Sequence, residues 1–349
     1  MMEFLFIFFV CVSYIIFLNN FYVSKNFLLD KPLEVNHKSL SSKNLPQIGG
    51  IYLFTTFLTV TFFFKTKIIK PEFFFFFFFI TILGIYSDYN NFFKASKRFL
   101  YQLIIVILFI FFFNLKINNT QIYFINYLIN INIIVNYFFT VFCILILING
   151  TNFTDGKNGL VIGNYILIFF FLYMLLKSDP GNKQLLDLLK YLILILLALF
   201  LFNIFGFCLL GDNGNYFLSF FTAVFIISFF NSYSSFNPIV VLNLLWYPAF
   251  ENFFSILRRY FQNKKIFKPD KLHFHNLLNL FVIRLFKMKH EINTLNNSAT
   301  GVLINIFLFI FLLISYLVYP SSVLLVLCLC LTILFYLIFY FYFIYYLKK

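Results

Sequence analysis

The chain has 349 residues, of which 62% are hydrophobic and 11% charged, with a mean hydropathy of +0.92, and this leaves too little polar surface to cover a water-soluble globule. Its formal net charge of +14 comes from Lys and Arg scattered through short loops, which excludes the continuous basic face of a nucleic-acid-binding protein. Weak period-2 alternation excludes a β-barrel, so the expected class is all-α: a polytopic membrane helical bundle in a lipid bilayer.

The first apolar block, "FLFIFFVCVSYIIFL", follows Glu3 with no basic n-region and no small-residue cleavage site, so it reads as a retained helix. Counting apolar blocks gives about eleven transmembrane spans, near 4–22, 48–64, 71–86, 99–115, 133–148, 160–176, 188–207, 214–231, 234–250, 301–319 and 321–346. The run "FFFFFFF" at 73–79, among 60 phenylalanines, reads as compositional habit rather than chemistry. Cys11, Cys143, Cys208, Cys328 and Cys330 lack metal-ligand spacing and read as small apolar residues of a reduced protein.

The loops after alternate spans fall on two sides. One side, with the C-terminal tail, holds 19 of the 26 Lys and Arg, all four His and eight of the twelve carboxylates. The positive-inside rule makes that side cytoplasmic, with the N-terminus outside. The chain is read as one integral membrane domain, 1–349, whose loops 23–47, 87–98, 149–159, 208–213 and 251–300 form the chemical face. Within the last of these, "NLLNLFVIRLF" suits an amphipathic helix lying along the bilayer surface.

Those five loops carry the candidate residues. "NHKSLSSKNLPQIGG" has Lys43 and Pro46 before Gly49 and Gly50, and alone it reads as a turn entering a helix. "ILGIYSDYNNFFKASKRFLYQ" puts Asp88 at a span boundary with Lys97, Arg98 and Gln102 beyond it; a capping Asp followed by membrane anchors is the simpler alternative. "INGTNFTDGKNGL" breaks an apolar run with Asn149, Asn152, Asp155, Lys157 and Asn158. Asp155 and Asn158, three apart, would share a helical face, while a cap and turn fits the stretch equally well. "FNIFGFCLLGDNGNYFL" holds Asp212 close to hydrocarbon, where an unpaired carboxylate is costly, with a helix N-cap at Asp212 or Asn213 as the alternative. In "KPDKLHFHNLL", His273 and His275 reach one side only if the backbone is extended. Together the carboxylates, histidines, lysines and glycines of one face could support a magnesium-dependent reaction on a phosphate-bearing substrate.

The order of these motifs resembles the polyprenyl-phosphate N-acetylhexosamine-1-phosphate transferases of glycosyltransferase family 4, over about residues 30 to 280. The family's Lys/Arg ahead of Pro-x-x-Gly-Gly is similar to "KNLPQIGG", its Gly-x-x-Asp-Asp followed by Arg and Gln to "GIYSDYNNFFKASKRFLYQ", and its Asn-x-x-Asp-Gly-x-Asp-Gly to "NFTDGKNG". Its Gly-Asp-x-Gly is similar to "GDNG", its Pro-Asp-x-x-His-x-His-His to "PDKLHFHN", and "ENFFSILRR" resembles the surface-polysaccharide branch. Ser87, Asn158 and Asn276 stand where the family has Asp, Asp and His.

The resemblance implies transfer of a sugar 1-phosphate from a UDP-N-acetylhexosamine to polyprenyl phosphate, releasing UMP, at the cytoplasmic face of a bacterial inner membrane. It implies Mg²⁺, or Mn²⁺ in its place, on Asp212 and Asp88, with Asp88 also handling the lipid phosphate. Lys43, Asn152, Asp155 and Asn158 would hold the nucleotide, Arg259, His273 and His275 the diphosphate, while Lys97 and Arg98 would only anchor the membrane surface. The pathway expected is initiation of cell-surface polysaccharide, O-antigen or cell-wall glycan, and the oligomeric state stays open, a homodimer included. Two other classes compete: a homologue that binds or moves polyprenyl-linked sugars after losing carboxylates, and an unrelated membrane transporter.

Overall fold

A computed structural model describes residues 2–30, 45–90, 92–177, 182–264, 272–285 and 294–348. In chain order its helices are α1 (Met2–Ser24), α2 (Gly49–Phe64), α3 (Phe74–Tyr89), α4 (Ala95–Phe113), α5 (Tyr123–Ile131), α6 (Ile133–Thr154), α7 (Leu160–Leu176), α8 (Lys183–Ile204), α9 (Gly211–Ser232), α10 (Val240–Phe261), α11 (Phe274–Leu285), α12 (Thr294–Val318) and α13 (Ser322–Lys348). The only strands among the described residues are β1 (Leu29–Asp30) and β2 (Leu45–Pro46), an antiparallel pair that pins the chain entering α2.

Nine of the described helices are long and apolar enough to cross a membrane. The shorter apolar helices α2 and α7 take the places of the other two expected spans. Lipid is the only solvent that suits the periphery. Phe63, Phe111 and Phe138 are among many large apolar side chains exposed on the outer surface, more than a surface facing water carries.

The most enclosed helix is α9, with 83% of its apolar window buried, against 17% for α1 and 22% for α4 and α13. It is packed largely by phenylalanine. Phe77 of α3 meets Phe217, Phe220 and Phe221 of α9 with ring centroids 5.2–6.0 Å apart, within the range of favourable aromatic pairs. Helical periodicity divides the phenylalanine run between two environments: Phe74, Phe76 and Phe77 face the core, whereas Phe75, Phe78 and Phe79 face outward.

At one end of the bundle α9 approaches α2 and α3 backbone to backbone. A Cβ at Gly84 would strike the main chain of Asn213, and one at Gly50 would strike the Asn213 side chain and main chain, so only glycine admits this spacing. The same end collects the C-termini of α3, α6 and α8 and the N-termini of α2, α4, α7, α9 and α12, and it is there that the candidate residues lie.

Several local expectations change. The stretch 149–154 is helical, the last turn and a half of α6, and 251–261 is the end of α10. Polar side chains at those positions face protein, where hydropathy reads a loop. The amphipathic surface segment forms as α11.

Candidate active site

Asp88, near the end of α3, points at the start of α9. Its Oδ1 accepts the Asp212 amide at 2.9 Å and its Oδ2 accepts the Asn213 amide at 3.0 Å and the Asn213 side-chain amide at 2.5 Å. The helix cap anticipated at Asp212 or Asn213 is therefore supplied by a carboxylate from another helix. This satisfies donors that the first turn leaves unpaired and complements the positive end of the dipole. Asn213 in turn ties α9 to the α2 entrance, accepting the Gly50 amide and donating to the Gln47 carbonyl at 3.1 Å.

With its backbone fixed in this way, Asp212 presents its carboxylate to α4. Arg98 pairs with Oδ2 at 2.7 Å, and Ser87 donates to the same oxygen at 2.6 Å. Tyr216, one turn along α9, reaches Oδ2 at 3.4 Å. Arg98 is thus part of the centre rather than a membrane anchor, and the signal that could have found it was the Arg-Gln of the motif. Ser87 replaces a carboxylate with a hydroxyl that bridges Arg98, at 3.2 Å, and Asp212.

The segment from α6 extends the network. Asn152 donates to the Tyr216 hydroxyl at 3.3 Å, and Asn215 of α9 donates to Asp155 at 2.5 Å. Burial pushes the Asp155 carboxyl up to about 7, opposed by the Asn215 hydrogen bond and reinforced by Asp212 and Asp30. Asp155 and Asn158 do not share a helical face, because the chain leaves the helix after Thr154. Asn158 instead accepts from Asn297 of α12 at 3.4 Å.

The histidines attach to the same segment. His273 stacks on Phe153 with centroids 5.7 Å apart and on His275 at 5.6 Å and 3°. The pair does lie on one side, since His273 precedes the first turn of α11. Glu251 of α10, fully buried, accepts from His273 Nδ1 at 2.9 Å, from the Phe274 amide at 3.3 Å and from the Tyr336 hydroxyl at 2.5 Å. It fixes the tautomer that carries hydrogen on Nδ1. Arg258 donates to the Leu272 carbonyl at 2.7 Å and to Tyr340 at 2.6 Å, holding the chain that enters the pair. Neither Glu251 nor Arg258 was singled out from sequence, because each partner lies 14 or more positions away. Arg259 is buried beside them in the last turn of α10. Lys43 lies outside the described residues.

The sequence pattern of glycosyl transferase family 4 matches residues 71–230, from just before α3 almost to the end of α9. Those residues include Asp88, Arg98, Asn152, Asp155 and Asp212. A probable undecaprenyl-phosphate N-acetylglucosaminyl 1-phosphate transferase of Bacillus subtilis (strain 168) is 26% identical over 260 residues, covering 72% of this chain and 70% of that protein. Over residues 71–230 the chain is therefore similar to glycosyl transferase family 4.

The chain brings its acidic and imidazole groups together across five helices. Among the described residues no group of three or more His, Cys, Asp or Glu is spaced to enclose a metal. Magnesium seldom needs such a cage, since it keeps waters and takes substrate phosphate oxygens beside one or two carboxylates. Asp212 fits that pattern: Oδ2 is occupied, Oδ1 has no hydrogen bond among the described residues, and the side chain is 18% exposed. Asp88 fits it less well, with both oxygens turned to the α9 backbone.

Proposed function

We propose that the protein transfers an N-acetylhexosamine 1-phosphate from a UDP-sugar to polyprenyl phosphate, releasing UMP, at the cytoplasmic face of a bacterial inner membrane. The product would begin a cell-surface polysaccharide or cell-wall glycan. The observation that carries this reading is the open Oδ1 of Asp212, set among Arg98, Ser87 and Tyr216 at the boundary end of the most buried helix.

Asp212 would hold Mg²⁺ through Oδ1, with Mn²⁺ able to replace it. Bound there, the ion would neutralise charge on the diphosphate oxygens. Asp88 acts by positioning: it holds the two amides that aim Asp212, and its charge favours the cation. Arg98 steadies Oδ2 and adds positive charge at the site of phosphoryl transfer. Asn152 and Asp155 face the α9 side, where the nucleotide would lie, and Asn158 and Lys43 are assigned to the same ligand from their motifs. His273 and His275, with Arg259, would receive the diphosphate, and Glu251 keeps His273 Nε2 turned outward. The lipid phosphate is already largely ionised near neutral pH, so the chain has to orient it more than to deprotonate it.

The test is UMP release by the full chain in nanodiscs containing polyprenyl phosphate, with UDP-N-acetylglucosamine and Mg²⁺. Mg²⁺-dependent release that disappears in Asp212→Ala is the expected result; wild-type activity in that variant would remove the site. A second reading, a carrier of polyprenyl-linked sugars, is favoured by one observation: Ser87 leaves Asp212 paired with Arg98 rather than with a second acid. Lipid binding by the wild type without UMP release from any UDP-sugar would select it.

A further inference from the structure

Lys157 sits in the turn between α6 and α7 and is 8% exposed. Among the described residues its ammonium has no hydrogen bond and no ion pair; Asp155, two positions earlier, is taken by Asn215. Beside it lies a second unsatisfied group. His275 is 2% exposed, and its Nδ1 is buried without a partner. Gly156 rests directly on the His275 Nε2 edge, so closely that a Cβ there would overlap the ring. Burial, with His273 and Lys157 close by, holds His275 well below the usual imidazole range, which puts the ammonium and the two stacked rings in one small space.

An ammonium and an imidazole with an unpartnered nitrogen are thus crowded together, and the carboxylate of Glu251 is committed to His273, the Phe274 amide and Tyr336. An enclosed ammonium without a counter-charge costs several kcal/mol. A fold keeps such a group where an anion from outside completes it.

We propose that Lys157 is a phosphate-binding residue, its ammonium and His275 together receiving a phosphate oxygen of a substrate. The assignment rests on the transferase reading for the identity of the substrates and deepens it. The phosphate belongs either to a nucleoside diphosphate or to the lipid monophosphate, and the experiment separates the two.

The full chain in nanodiscs is titrated with UDP, with uridine and with polyprenyl phosphate, as wild type, Lys157→Met and Lys157→Arg. A charge-assisted hydrogen bond lost in Lys157→Met should weaken one phosphate ligand about tenfold or more, with Lys157→Arg retaining most of the affinity. Uridine binding should be unchanged. Weaker UDP binding identifies the diphosphate, and weaker lipid binding identifies the monophosphate. Thermal melting gives a readout with the opposite sign to that of a structural lysine. Without ligand, Lys157→Met should melt at or above the wild-type temperature, since a desolvated charge has been removed. Lys157→Met binding both phosphates like wild type would overturn the assignment. So would joint loss of UDP and uridine binding with a lowered melting temperature. Wild-type phosphate binding without UMP release, with the affinity still lost in Lys157→Met, sinks the transferase reading alone.

Discussion

Replacing Asp88 by Asn probes how the centre is held. The carboxylate accepts three hydrogen bonds from the first turn of α9, through both oxygens. An Asn side chain offers one acceptor oxygen, so whichever way it turns, one of those donors meets an NH₂ group. The most favourable rotamer keeps the two Asn213 contacts and abandons the Asp212 amide. A hydrogen bond to a charged group contributes roughly 1.5–3 kcal/mol, and the lost charge at the α9 N-terminus adds about 0.3–1 kcal/mol. The sum, about 3 kcal/mol, corresponds to a roughly 100-fold loss of correctly aimed Asp212, and hence of kcat/KM. The assay is UMP release in nanodiscs, with UDP affinity measured in parallel to establish that the variant is folded. Asp88→Asn turning over within about twofold of wild type would refute the claim that this carboxylate positions Asp212.

Glu251→Gln keeps the shape of a fully buried side chain but removes the charge facing His273. We expect a roughly tenfold fall in kcat/KM that is not additive with His273→Gln, since both act on one ring; full additivity in the double-mutant cycle would separate the two residues. Ser87→Asp sets a second acid where Ser87 now bonds Asp212 at 2.6 Å. Like charges make the metal-free variant less stable and Mg²⁺ offsets this, so its melting temperature should rise with Mg²⁺ more steeply than that of wild type, and an equal slope would count against a cation at Asp212. Burial raises the Asp155 carboxyl from its ordinary value of 3.8 to about 7 in the folded chain. The folded state therefore binds the extra proton in that window, and this contribution to stability is lost as pH rises from about 4 to about 7. Asp155→Asn should remove that decline from melting curves, and an unchanged profile would contradict the burial argument.

Much of the fold was legible because bilayer thickness imposes a length on apolar segments. Each of the eleven anticipated spans overlaps a helix, although 234–250 covers only the first half of α10, and the surface segment falls on α11. Helix α5, nine residues with Asn126 and Asn130 one turn apart, was missed because it is too short to span. The ends of α6 and α10 were read as loops since hydropathy cannot separate a polar residue facing water from one facing protein. Within the site, motif order brought Asp88, Asp212, Asn152, Asp155 and the histidines to one face, where the structure also has them. Arg98 looked like any basic residue at a membrane boundary until Asp212, 114 positions away, was seen to accept from it. Glu251 and His273 are 22 positions apart and on different elements, so their pairing had no local signature. The cap on α9 was sought within α9, although its carboxylate comes from α3.

The central claim is that the Asp212 carboxylate, held by Asp88 and Arg98, receives a divalent cation together with a diphosphate. Mn²⁺ binding to the full chain, followed by electron paramagnetic resonance with and without UDP, tests it most directly. The account predicts a bound Mn²⁺ signal that strengthens with UDP, vanishes in Asp212→Asn and persists in Asp187→Asn, whose acid pairs with Lys190 at 2.8 Å away from the site. Undiminished UDP-dependent Mn²⁺ binding in Asp212→Asn would contradict it.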